Sequence, residues 1–133
     1  MANLAISDIL LDNNSFPVGG PEIMLKDALE LMNQYNLGII CIVDDQECLK
    51  GVFTDGDLRR ILLRVQKPLA SLFVDDVLDF CALTPKTIMI SSTLVEAVAL
   101  MEEFQVWDLP VLDEGNKLMG LLHLHPVVKS IIN

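Results

Sequence analysis

At 133 residues, 52% of them apolar and 21% charged, the chain has the length of one domain or of two half-size repeats sharing a core. Its net charge of −10 argues against nucleic-acid or anionic-membrane binding, and any anionic ligand needs a local cradle against the global field. The longest apolar run, Leu37 to Val43, is far short of the roughly 20 residues that cross a bilayer. No basic-then-apolar leader opens the chain, so a cytoplasmic address is expected. Cys41, Cys48 and Cys81 are scattered without metal-type spacing and read as reduced thiols, with Cys41 in the core.

In chain order, Phe16–Val18 reads as a short leading strand. Leu25, Ala28, Leu29, Met32 and Tyr35 fall at helical spacing. Ile39–Val43 and Leu49–Phe53 are apolar strands joined by the polar turn "DDQE", which predicts a hairpin. A helix is expected to begin near Asp55. The stretch Val65 to Phe80 connects onward and is expected to carry a helical turn at Val74–Leu78.

The pattern then recurs. Thr87–Ile90 is a second leading strand, and Thr93 with Glu96 forms a capping box. The helix Leu94, Ala97, Val98, Met101, Phe104 follows, then Leu109–Leu112, the turn "DEGN", Leu118–Leu122 and a final helix from near Leu124. A constant offset of 69 residues sets Leu25 over Leu94, Ala28 over Ala97, Met32 over Met101, Asp44 over Asp113 and Gly51 over Gly120 without a gap. The unit is therefore β-α-β-β-α, twice, an α/β (α+β) fold. The expected divisions are a first domain at 1–66 with its N-terminal lead-in, a connector at 67–80 and a second domain at 81–133.

The stretch "GVFTDGDLRR", Gly51 to Arg60, carries the chemistry. With Thr54 as N-cap, its hydroxyl can accept from the Asp57 amide, and acids in the first turn suit the helix dipole. The same geometry can bind phosphate on free amides and a ribose diol on Asp57, with Gly56 leaving the approach open. Asp55 and Asp57 lack a third metal ligand. His123 and His125, spaced by two, lack a nearby carboxylate or cysteine in sequence. No metal site and no catalytic residue is assigned, and a small enzyme built on Asp55, Asp57 and His123 is the least favoured reading. Arg59 and Arg60 are either phosphate neutralisers or solvated surface charges.

The repeat running into "GVFTDGD" resembles a CBS-domain pair, or Bateman module, over roughly Ile9 to Asn133. That resemblance implies two halves related by a pseudo-twofold axis and a cleft for adenosine nucleotides or related regulators. It places Thr54 at phosphate or ribose, Asp57 at ribose, Gly38, Ile39 and Ile40 at the base, and Leu83 and Thr84 as the segment lent by the other copy. A second, weaker site is implied at Trp107, Asp108 and His123 with Phe16 and Val18. Copy two departs from the pattern, with His123 where Thr54 stands and Pro126 where Asp57 stands.

"FTDGDLRR" followed by "GLLHLH" resembles the C-terminal CBS pair of arabinose-5-phosphate isomerases, which make the precursor of the lipopolysaccharide sugar Kdo. "TDGDLRR" also resembles CBS pairs fused to sugar nucleotidyltransferases. The resemblance implies a non-catalytic regulatory module that senses AMP, ATP or CMP-Kdo and requires no cofactor. Its implied partners are an N-terminal sugar isomerase domain, absent from these residues, and a second copy in a homodimer. The chain is then an excised regulatory half or a free-standing relative. The competing reading is a structural dimerisation module without ligand.

Overall fold

The computed structural model describes residues 4–123. Its elements are α1 (Ile6–Ile9), β1 (Val18–Gly19), α2 (Leu25–Tyr35), β2 (Ile39–Val43), β3 (Leu49–Thr54), α3 (Asp55–Arg64), α4 (Leu69–Phe73), a 3₁₀ turn at Val77–Phe80, β4 (Ile88–Met89), α5 (Leu94–Phe104), β5 (Asp108–Leu112) and β6 (Leu118–His123). Two three-stranded sheets result, in the orders β1-β2-β3 and β4-β5-β6. In each, the leading strand is parallel to the middle one and the hairpin is antiparallel. Over the described residues the first repeat runs β-α-β-β-α and the second β-α-β-β, in the order expected from the repeat. The final helix expected from Leu124, with Pro126 and His125, lies outside the described residues.

The repeat reaches the backbone. Asn36 and Gln105, 69 residues apart, both close their helices with φ of 54°. Asp44 and Asp113 each accept two amides of the following turn, from Gln46 and Cys48 and from Gly115 and Lys117. These side-chain-to-backbone bonds are what make an Asp-led turn stable. The hairpin register shifts at Ile42/Val43 and again at Val111/Leu112. The first leading strand is displaced by a residue or two from the expected Phe16–Val18, the second falls within the expected Thr87–Ile90 but is shorter, and both hairpins run one residue further, to Thr54 and His123.

The connector differs more. Val74 lies between α4 and the 3₁₀ turn rather than inside one helical turn. The cause is long-range: the Leu25 amide donates to Asp75 O at 2.9 Å and the Val77 amide to Ile23 O at 2.9 Å. Met24, at the N-cap of α2, has no side-chain acceptor, so the connector's backbone satisfies that helix start instead.

Two compact units follow, Ser15–Pro85, and the residues up to Asn14 with those from Lys86 onward. In the first, α2 buries Leu25, Ala28 and Met32 against Ile40, Ile42 and Phe53, with Ile61, Leu72 and Val77 closing the cluster. In the second, Leu94, Ala97 and Met101 of α5 pack with Leu109, Val111 and Leu122, joined by Ile6 and Ile88. Each large apolar side chain so buried stabilises by roughly 1.5–3 kcal/mol. Cys41 is buried in its sheet.

The lead-in, grouped with the first repeat on sequence, therefore packs in the unit of the second. Leu11 exchanges backbone hydrogen bonds with Leu121 at 2.8 and 2.9 Å, and Asn13 Nδ2 donates to Leu118 O at 2.9 Å. Correspondingly, Ala82 exchanges bonds with Val52 at 2.9 and 3.0 Å. The open edge of each hairpin needs partners for its N–H and C=O groups, and the segment leading into the other repeat supplies them, Leu11 for β6 and Ala82 for β3. The repeat glycine makes room for it. A Cβ on Gly120 would sit 2.6 Å from Leu11 O, and one on Gly51 would sit 3.0 Å from Ala82 O. No helix of the described residues is long and apolar enough to cross a membrane.

Candidate ligand-binding site

The strand β3 ends at Thr54 in extended backbone, and α3 begins at once. Thr54 Oγ1 accepts from the Asp57 amide at 3.3 Å. Asp57 Oδ2 accepts in return from the Thr54 amide at 2.9 Å and the Thr54 hydroxyl at 3.1 Å. This reciprocal box satisfies orphan amides of the helix start. Asp57 Oδ1 meanwhile takes Arg60 Nη2 at 2.7 Å, the two side chains being 16% and 47% exposed. The Asp55 amide donates to Gly38 O at 3.1 Å. The Asp55 carboxylate also lies over Gly38, where a Cβ would meet Oδ2 at 2.6 Å. Gly38 has no left-handed φ, so its glycine answers this close approach rather than a turn.

The structure thus gathers Gly38, Thr54 and Asp57 at one end of the sheet, with Ile39 directly opposite Thr54 in the ladder. The side chains of Ile39 and Ile40 are core. Leu83 and Thr84 are exposed in the segment that follows Ala82, within the same Ser15–Pro85 unit. Chemically the cluster offers a hydroxyl, two carboxylates and a guanidinium, together with the Gly56 amide, which the cap does not use. An ionised carboxylate has about four acceptor positions, and the cap and Arg60 occupy three at Asp57. A ligand diol must therefore displace one of them. Cys81 donates to Val77 O at 3.3 Å. Burial, then the charges of Asp57 and Asp79, push its thiol up to about 12.

In the second repeat the corresponding ladder pair is Asp108 and His123. His123 Nδ1 and Asp108 Oδ1 are 2.7 Å apart, half-buried. Trp107 takes the place of Gly38 and is 69% exposed. Phe16 and Val18 lie in the Ser15–Pro85 unit, and the side chain of Phe16 is 1% exposed. Among the described residues no group of three His, Cys, Asp or Glu is placed to hold a metal. The Asp108–His123 contact was not anticipated, although the signal existed. Shifting the first hairpin's Ile39–Thr54 pairing by the repeat offset puts these two residues face to face.

Burial pushes the Asp108 carboxyl above its ordinary value of 3.8, against the hydrogen bond and charge of His123, which pull it down. The folded chain then holds that proton more tightly than the unfolded one. The contribution of Asp108 to stability is full below 3.8 and declines as pH rises through the folded value. Asp108→Asn, which resembles the protonated acid, should therefore gain on the parent as pH rises above 3.8. Urea unfolding over rising pH measures it, and parallel stability curves would contradict it.

The CBS domain family profile matches residues 7–64 and 74–131. Arabinose 5-phosphate isomerase KdsD of Yersinia pestis is 34% identical over 128 residues, 96% of this chain and 37% of that protein. An uncharacterized protein of Helicobacter pylori strain J99 is 34% identical over 121 residues, 90% of this chain and 35% of that protein. The chain thus spans little more than a third of these relatives. A crystal structure of CBSX2 in complex with AMP has a TM-score of 0.85 and 28% identity, covering 98% of this chain and 97% of that one. With both repeats matched over nearly their whole length, the chain belongs to the CBS domain family as a tandem CBS pair.

Proposed function

We propose that the chain is a non-catalytic regulatory module that senses an adenosine nucleotide at the first-repeat cluster of Thr54, Asp57 and Gly38. The observation that carries this reading is the convergence of the Thr54 hydroxyl, the Asp57 carboxylate and the start of α3 at the end of β3. A 28%-identical CBS protein crystallised with AMP supports the ligand class. In this reading the main chain of Gly38, Ile39 and Ile40 flanks the base, with Leu83 and Thr84 beside it. Trp107, Asp108 and His123 form a weaker second site without a diol acceptor. The kinship with KdsD supports control of an attached arabinose 5-phosphate isomerase domain in lipopolysaccharide sugar synthesis. CMP-Kdo is then the other regulator to test. A homodimer is the expected assembly, since α3 leaves Leu62 and Leu63 well exposed.

Thermal unfolding with AMP, ATP, adenosine and CMP-Kdo tests the reading. A ligand at about 100 times its Kd should stabilise by about 2.7 kcal/mol. No shift with any of them, from a chain that light scattering shows to be dimeric, would favour the structural dimerisation module. The purified chain should not interconvert ribulose 5-phosphate and arabinose 5-phosphate.

A further inference from the structure

We infer that Arg60 is the specificity-determining residue that makes this site prefer a nucleotide to a nucleoside, by exchanging its carboxylate partner for the ligand's phosphate. The inference rests on the reading of Thr54 and Asp57 as the nucleotide's anchor. Arg60 Nη2 holds Asp57 Oδ1 at 2.7 Å across one helical turn. Its guanidinium also lies over Gly56, where a Cβ would come within 3.3 Å of Nη2 and 3.4 Å of Nη1. Gly56 has no left-handed φ, so its backbone would accept another residue, and the missing side chain serves the space above the helix start.

The charges explain why a cation belongs there. Asp55 and Asp57 put two carboxylates in the first turn of α3, on a chain whose net charge is −10. A phosphate approaching the Gly56 amide meets repulsion that the helix start does not by itself overcome. Arg60 is the cation already in position. Exposed ion pairs are weak, so its transfer costs little. A planar guanidinium donates two parallel hydrogen bonds to phosphate oxygens. Its departure also frees Asp57 Oδ1 to accept a ligand hydroxyl. A nucleoside must dislodge the same guanidinium and offers it nothing in return.

Calorimetric titration of AMP and of adenosine into the parent, Arg60→Gln and Arg60→Lys decides the matter. In Arg60→Gln, AMP affinity should fall tenfold or more while adenosine affinity holds or rises. Arg60→Lys should retain part of the preference for AMP, as a point charge without the fork. Equal losses for both ligands would mean that Arg60 only braces Asp57, and unchanged AMP affinity would mean a surface ion pair. Either result overturns the inference alone. A parent that binds adenosine as tightly as AMP also overturns it alone, whereas a parent that binds neither overturns the nucleotide reading with it.

Discussion

Asp57→Ala is expected to weaken AMP binding tenfold or more. The carboxylate can accept two ribose hydroxyls, each charge-assisted bond contributing about 1.5–3 kcal/mol when shielded from water. About 1.4 kcal/mol is one decade in affinity, so losing even one such bond reaches the expected loss. The substitution also removes the acceptor of the Thr54 amide and hydroxyl, which should lower stability by about 1 kcal/mol. Titration well below the unfolding temperature separates the two effects. In the second repeat Pro126 stands at the matching position, so Pro126→Ala should leave AMP affinity nearly unchanged. Parent-like affinity in Asp57→Ala would reduce "TDGD" to a helix cap.

Gly120→Ala is expected to destabilise the chain by about 3 kcal/mol, the upper part of the range for overpacking. The new methyl would lie 2.6 Å from Leu11 O and 2.6 Å from Leu10 Cδ1. The leucine tip can move, but the carbonyl is fixed by its bond from the Leu121 amide at 2.9 Å. Relief requires the lead-in to lift from β6, with loss of both Leu11–Leu121 bonds. For a unit of this size the melting temperature should fall by roughly 12–24 °C. Gly20→Ala is the control, since nothing lies within 4 Å of its added carbon, and it should change stability by no more than about 0.5 kcal/mol. A melt of Gly120→Ala that matches this control would contradict the docking of the lead-in.

The elements readable from sequence were those whose causes are local. Helix faces from Leu25 and from Leu94, the Asp44 and Asp113 turns and the Thr93–Glu96 cap depend on residues a few positions apart. The exchange of edges did not share that property. No periodicity in residues 4–14 says that Leu11 will pair with Leu121 rather than with the repeat that follows it. The turn expected at Val74–Leu78 was displaced for a similar reason, because Asp75 and Val77 serve the start of α2. At the site, Thr54 and Asp57 were legible because a capping box is local, and their tie to Arg60 is again a one-turn relation. The clamp of Asp55 on Gly38 was hidden, since it joins a strand start to a helix start 17 positions on.

The proposed nucleotide site lies in the first repeat, at the start of α3. Amide-resolved NMR of the ¹⁵N-labelled chain during an AMP titration tests it most directly. The expected result is saturable shifts at Gly38, Thr54, Gly56 and Asp57 that are lost in Asp57→Ala. Shifts confined to Trp107, Asp108 and His123, or no saturable shift at any residue, would contradict it.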